Sequence, residues 1–227
     1  MIKRLHFFGC SFTSLEDSPT PHLFVNHRKL ISEELQIPQT SHAFQGKSNS
    51  HIINDVYLCS KENMNEDTVF IIQYTFFNRL GLYSEVSDNK FVSVCKKNID
   101  DSCDFAMEVE INFYNNWLKY FYSRKNSILE FEKQVDTISA WLKCNDIKFI
   151  SYGYDLDMNE FSEDFYIRNN FLKFENNYSL YQTAIDKKLR ISDCGNVDEY
   201  NDNHLSSDGH LFLKNILLTK IKKIMDS

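Results

Sequence analysis

The sequence predicts an α/β fold in which helices cover both faces of a mostly parallel sheet. Short apolar runs that are typical of buried strands alternate with longer segments of helical spacing. The clearest strand is Thr68 to Tyr74, which is nearly all apolar before Gln73, as a central parallel strand should be. This alternation favours βαβ units, whose right-handed crossovers place helices on both faces. The 227 residues suit a single domain, 1–227.

The predicted elements follow from local patterns. The first strand is Ile2 to Phe8, and Leu23 to Leu35 has the spacing of a helix that Pro38 ends. A loop then leads into a helix for which Ser48 or Asn49 is the predicted N-cap. The remaining predicted elements are a short strand within Gln39 to Phe44, helices at Asn112 to Tyr122, Ile128 to Leu142 and about Leu211 to Ile224, and a strand at Ile147 to Tyr152.

Two stretches do not follow the alternation. Residues from about 80 to 125 are predicted to form an insertion after the third strand, because Gly81 to Asp104 is mixed, polar and weakly periodic. The aromatic residues of Asn112 to Tyr122 indicate core packing, with a lid over a sugar-binding cleft as the alternative. Gly153 to Arg190 is acidic and aromatic and gives no clear elements, so we expect one wall of a cleft there.

Composition excludes several classes of function. The net charge is −7 and no basic stripe is present, which argues against nucleic-acid binding. The apolar run behind Met1 is too short for a secretory signal, and no stretch is long enough to span a bilayer, so a cytoplasmic location is predicted. The six cysteines lack C-x-x-C spacing, so neither a zinc site nor a redox pair is indicated, and no metal or cofactor is expected.

Candidate chemistry lies at the two ends of the chain. Gly9 follows the first strand and allows a tight bend, and Ser11 then lies at the carboxyl end of a parallel strand, where open α/β sheets bind ligands. Near the other end, Asp202 and His204 precede the last predicted helix, and His210 lies in its first turn. A serine beside an imidazole and a carboxylate is the arrangement that activates a nucleophile.

These two segments resemble the first and last sequence blocks of the SGNH (GDSL-type) hydrolases. The matching runs are Gly-Cys-Ser-Phe-Thr from position 9 and Asp-Asn-His-Leu-Ser from position 202. The resemblance implies a flavodoxin-like three-layer α/β/α sandwich with a mostly parallel sheet of about five strands. It also implies that Ser11 is the nucleophile, His204 the general base and Asp202 the residue that orients it. Two departures are that Cys10 stands where many members have Asp, and that the family's commoner Asp-x-x-His spacing would select Asn201.

The same resemblance implies how the oxyanion is bound. Gly46 matches the glycine whose backbone N–H stabilises the developing negative charge. Asn49 is either a second binding residue or only part of the helix start. The third family block, Gly-x-Asn-Asp, is replaced here by Thr-Phe-Phe-Asn from position 75, so the side-chain donor is Asn78, or instead Gln73 or Thr75.

The function that follows is a serine esterase removing an acyl group, such as acetyl, from a carbohydrate or small ester. Its partner would be a small-molecule or glycan ester, with no cofactor. Two alternatives remain open: an O-acetyltransferase that uses the same triad on a glycan, and a catalytically inert SGNH-like module that binds glycan. A nucleophilic Cys10 is a further alternative, although its side chain should point away from that of Ser11, into the sheet or toward the helix.

Overall fold

A computed structural model gives the structure of the protein. The residues that it describes are 2–10, 13, 26–44, 47–64, 67–77, 80–84, 90–94, 112–113, 115–117, 119–120, 122–154, 161–174, 179–190 and 204–226. Across these residues the elements are β1 (Arg4–Phe8), α1 (His27–Leu35), β2 (Gln39–Ser41), α2 (Asn49–Glu62), β3 (Thr68–Tyr74), β4 (Leu80–Ser84), β5 (Lys90–Val94), α3 (Arg124–Cys144), β6 (Lys148–Gly153), α4 (Glu163–Arg168), α5 (Leu180–Asp186) and α6 (Ser207–Met225).

The central sheet is parallel and has the order β2-β1-β3-β6. All seven residues of β3 are buried, as its apolar sequence predicts for a strand with neighbours on both sides. Beyond β6, where a fifth strand would lie, the described residues form a single parallel bridge between Ser151 and Phe171. Leu172 N donates to Ser151 O at 2.7 Å, and Ser151 N donates to Asn170 O at 3.1 Å. The order is that of flavodoxin-like sheets, which confirms the predicted fold class, with the fifth strand reduced to a bridge.

Each face of the sheet is covered by one pair of long helices. On one face, α1 and α6 pack over a core that includes Leu5, Phe7 and Leu217. On the other face, α2 and α3 pack over a core that includes Phe8 and Phe70. Adjacent residues of β1 point to opposite faces because side chains alternate along a strand. The molecule therefore has the three layers that the sequence predicts.

The predicted insertion contains a two-stranded antiparallel sheet formed by β4 and β5, which pair from Leu80 with Val94 to Ser84 with Lys90. The described residues between 112 and 120 are helical, as the spacing predicts. The prediction that this helix packs into the core is wrong for Phe113, whose side chain is 50% exposed.

The described residues between 161 and 190 contain two short helices, α4 and α5, that were not predicted from the sequence. Both begin at serine caps: Ser162 accepts a hydrogen bond from Phe165 N, and Ser179 accepts one from Gln182 N. Arg168, at the end of α4, pairs with Asp136 of α3 through two nitrogens at 2.7 and 2.9 Å, which ties this segment to the sheet's helical cover. No helix in the described part of the chain is both long enough and apolar enough to cross a membrane.

Candidate active site

The turn after β1 is tightly packed around Gly9. A Cβ atom added to Gly9 would lie 2.5 Å from Thr13 Oγ1 and 2.9 Å from Gln73 Oε1, closer than side chains pack. Thr13 N donates to Cys10 O at 2.9 Å, which closes a hydrogen bond across the turn. The glycine is thus required by close contact. Ser11, which the sequence places between Cys10 and Thr13, lies outside the described residues.

Buried polar side chains support this turn from β3. Thr13 Oγ1 donates to Gln73 Oε1, and Gln73 Nε2 lies 3.5 Å from Cys10 Sγ. The Cys10 thiol also lies 3.6 Å from Thr75 Oγ1. Cys10, Thr13, Gln73 and Thr75 are all almost completely buried. The thiol of Cys10 therefore points into the protein, as predicted.

Tyr152 of β6 completes the support and was not anticipated. Its hydroxyl hydrogen-bonds Thr13, and burial raises the pKa of Tyr152 well above its usual range, so that the group stays a neutral phenol. Thr13 is therefore in contact with β3 through Gln73 and with β6 through Tyr152. Nothing in the sequence marks Tyr152, because its contribution comes from the pairing of two strands.

Asn49 joins the start of α2 to the end of β3. Its Nδ2 donates to Thr75 O at 3.0 Å, and its Oδ1 accepts from Thr75 N at 2.7 Å. The N-cap of α2 is Ser48, whose Oγ accepts a hydrogen bond from His51 N while His51 Nδ1 accepts one from Ser48 N. Of the two predicted caps, Ser48 is the residue observed. Asn49 instead braces the segment that follows β3.

The segment between β2 and α2 lies beside the same turn. His42 N donates to Phe7 O at 2.7 Å, and Phe44 N donates to Gly9 O at 3.3 Å. On the α2 side of the gap, Lys47 Nζ donates to His42 O at 2.6 Å and pairs with Asp55. Gly46 itself, like Asn78 and Asp202, lies outside the described residues.

The segment at Leu205 and Ser206 is held by the residues that follow α5 and by the start of α6. Leu205 forms an antiparallel bridge with Arg190, and Ser206 donates to Leu189 O through both its N, at 2.8 Å, and its Oγ, at 2.9 Å. Ser206 is also the N-cap of α6, where its Oγ accepts from Gly209 N. His204, which is half-buried, lies immediately before this fixed segment.

His210 is buried, unlike His204. Its Nδ1 lies 2.9 Å from Nδ1 of His27, and the two rings are stacked with an angle of 8° between their planes. Burial, followed by the proximity of His204, lowers the pKa of His210 to about 3. Burial and then His210 lower the pKa of His27 well below its usual range. Both rings are therefore neutral at pH 7, and His210 is inside the protein.

The His27–His210 contact relates the two ends of the chain. Because α1 connects two parallel strands, it runs back across the sheet, and its first residue lies at the carboxyl edge. The ring of His27 meets Phe7 of β1 edge-on, with the centroids 6.1 Å apart. His210 is in the first turn of α6, so this helix also begins at the carboxyl edge. His204 therefore lies at the edge of the sheet where Gly9 and Cys10 form their turn.

Among the predicted site residues, the structure brings Gln73, Thr75 and Asn49 together beside the turn and places His204 at the same edge of the sheet.

The comparisons with protein-family models and with curated proteins gave no match for this chain. Several solved structures, in contrast, are similar to this chain in fold. The esterase EstA from Pseudoalteromonas sp. is similar over 99% of this chain and 100% of its own, with a TM-score of 0.53 and 8% identity.

Two further structures are similar over most of their length. An acetyl xylan esterase, AlAXEase, covers 96% of this chain and 99% of its own at a TM-score of 0.48 and 14% identity. A candidate SGNH hydrolase from Slackia heliotrinireducens covers 97% and 100% at a TM-score of 0.43 and 13% identity. Together with the strand order, the likeness to EstA shows that this protein shares the fold of that esterase.

Proposed function

We propose that the protein is a serine esterase of the SGNH type that removes an acyl group, such as acetyl, from a carbohydrate or small ester. The observation that carries the proposal is the common location of the turn around Cys10 and the segment at His204. These segments come from opposite ends of the chain and lie at the sheet edge where α/β proteins bind ligands. The fold of an esterase such as EstA supports the same class of reaction.

In the proposed mechanism, Ser11 Oγ attacks the ester carbonyl while His204 takes its proton. Asp202 orients the imidazole and stabilises the charge that it gains. Collapse of the tetrahedral intermediate breaks the ester C–O bond, and His204 returns the proton to the leaving alcohol. A water molecule then attacks the acyl-enzyme with the same base, which releases the acid and restores the Ser11 hydroxyl.

The negative charge of the intermediate is proposed to be held by the backbone N–H groups of Ser11 and Gly46. Asn78 is the proposed side-chain donor, as the family pattern suggests, because the other amides are already engaged. Gln73 bonds Thr13 and the Cys10 thiol, and Asn49 bonds the Thr75 backbone. For Gln73, Thr75 and Asn49 we therefore propose a positioning role, in which they fix the backbone N–H groups. Loss of one oxyanion donor typically lowers kcat by about 10²–10³-fold.

The first prediction is that Ser11→Ala removes hydrolysis of p-nitrophenyl acetate. We expect the rate to fall by at least about 10³-fold, because removing the nucleophile leaves only binding and oxyanion stabilisation. Ser14→Ala is the matched control and should keep the wild-type rate. A fluorophosphonate probe should label the wild type at Ser11 and leave the Ser11→Ala variant unlabelled.

Other outcomes separate the alternatives. Wild-type turnover at background, with no labelling of Ser11, would favour an inert glycan-binding module. Acetylated glycan accumulating faster than free acetate, when a glycan acceptor is supplied, would identify an O-acetyltransferase. If Cys10→Ala loses the activity and Ser11→Ala keeps it, the nucleophile is Cys10 and not Ser11.

A further inference from the structure

Three metal-ligating side chains converge between the sheet and α2, on the face opposite the buried Cys10. They are His6 of β1, His42 just after β2, and Cys59 of α2. His6 Nδ1 lies 3.1 Å from His42 Nε2. Cys59 Sγ lies 3.4 Å from His6 Nδ1 and 3.5 Å from His42 Nε2. The three atoms thus form a nearly equilateral triangle.

The size of this triangle is that of one face of a zinc coordination tetrahedron. Zinc lies about 2.0–2.1 Å from imidazole nitrogen and about 2.3 Å from thiolate sulfur, so neighbouring ligand atoms are about 3.3–3.7 Å apart. The observed separations are close to these values without any movement of the side chains. A cation slightly outside the plane of the triangle would contact all three atoms and keep one position open.

Hydrogen bonds alone do not account for the arrangement. Each ring nitrogen offers one bond, through either its lone pair or its hydrogen, yet here each faces two partners. One contact of the triangle is therefore left without a proton, whereas a central cation satisfies all three at once.

The surroundings of the triangle are also those of a metal site. Asn63 Nδ2 lies 3.3 Å from Cys59 Sγ, which suits hydrogen bonding to a thiolate. On the sheet side, Phe8 stacks on His42 with centroids 4.6 Å apart, and Phe70 lies against His6 at 5.2 Å. These rings exclude water from one side, while the half-buried His42 leaves an entry from the other.

We propose that His6 Nδ1, His42 Nε2 and Cys59 Sγ bind one Zn²⁺ ion, with water in the fourth position. Two imidazoles and a thiolate suit zinc better than hard cations such as Mg²⁺ or Ca²⁺. The ion joins β1, the end of the edge strand β2 and the middle of α2. Because His42 begins the segment that leads to Gly46, the ion also fixes the path of this segment.

A zinc site was not predicted from the sequence, because its six cysteines lack C-x-x-C spacing. His6 and His42 are 36 residues apart, and His42 and Cys59 are 17 apart. Only the parallel pairing of β1 with β2 and the packing of α2 bring the ligands together.

Cobalt titration tests the proposal, because Co²⁺ replaces Zn²⁺ and a cobalt–thiolate bond gives charge-transfer absorption. The metal-free wild-type protein should bind one Co²⁺ with this absorption and release it when Zn²⁺ is added. Cys59→Ser should abolish the absorption and weaken binding by more than the 10–100-fold that is typical of outer-shell changes. Cys144→Ser, at an exposed cysteine of α3, should behave as the wild type.

A second variant covers the case in which Cys59→Ser does not fold. His42→Gln changes a half-buried ligand, should keep the circular dichroism of the wild type, and should weaken Co²⁺ binding by a similar factor. Zn²⁺ should raise the melting temperature of the wild type and of Cys144→Ser, but not that of His42→Gln. Absence of Co²⁺ binding by the wild type, or charge-transfer absorption that persists in Cys59→Ser, would overturn the proposal.

Discussion

At the scale of single residues, Gly9 has the strictest requirement in the described part of the candidate site. Its Cα faces Thr13 and Gln73 at a distance that leaves no room for a methyl group. The turn therefore requires both the missing side chain of Gly9 and the side chains of Thr13 and Gln73 that pack against it. The sequence indicated the bend through Gly9, but the reason for the glycine is a tertiary contact with β3.

We predict that Gly9→Ala lowers the free energy of unfolding by about 1–3 kcal/mol, the usual cost of forcing extra atoms into a packed interior. Urea denaturation of the variant and the wild type measures this difference. An increase in the free energy of unfolding would have a different meaning. Where a glycine has room for a methyl group, its replacement by alanine stabilises the protein by about 0.4–1 kcal/mol, because the unfolded chain loses conformational freedom. A stabilised Gly9→Ala variant would contradict the close contact described here.

The predicted site residues illustrate what single positions reveal. Gln73, Thr75 and Asn49 were predicted as site residues because they lie at the ends of recognisable elements, and all three lie next to the turn. Tyr152 and His27 were missed because their contacts join distant parts of the chain. Their types and neighbours in the sequence are equally compatible with an ordinary core.

At the scale of elements, the sequence predicted best where one strong pattern covers a whole segment. β3 spans the predicted residues Thr68 to Tyr74, and α3 contains the predicted helix Ile128 to Leu142 with a few residues more at each end. The helices α4 and α5 have six and seven residues, too few for a hydrophobic period to emerge. At the position of the predicted fifth strand, the described residues form one parallel bridge, between Ser151 and Phe171.

The start of α6 allows a test of capping at the candidate site. Ser206 accepts from Gly209 N and donates to Leu189 O, so Ser206→Ala removes a cap and leaves the carbonyl of Leu189 with one hydrogen bond fewer. We expect the free energy of unfolding to fall by about 1–2 kcal/mol in urea denaturation. The neighbouring change Ser207→Ala should alter it by less than about 0.5 kcal/mol. Equal effects of the two changes would contradict the capping role.

At the scale of the whole molecule, the buried His27–His210 pair links stability to pH. In the unfolded chain both histidines take up a proton as the pH falls through about 6.5. In the folded protein their pKa values are lowered, that of His210 to about 3, so they remain neutral there. The unfolded state then binds more protons, and stability decreases as the pH falls from about 6.5 toward 4.

We predict that His210→Asn reduces this dependence. Asparagine keeps a polar atom near the position of Nδ1 but has no proton to take up, so the slope of the free energy of unfolding should fall by up to about 1.4 kcal/mol per pH unit. Urea denaturation at a series of pH values from 4.5 to 8 gives the slope for the variant and the wild type. Identical slopes would show that His210 is protonated equally in the folded and unfolded states.

The pairing of α1 with α6 has a consequence for how the protein is made. His27 and His210 are 183 residues apart, yet their helices together cover one face of the sheet. During synthesis, the strands and the other helical layer leave the ribosome before α6 does. Until translation reaches α6, only α1 of this helix pair can pack on Leu5, Phe7 and their neighbours. The nascent chain therefore presents an apolar surface to chaperones.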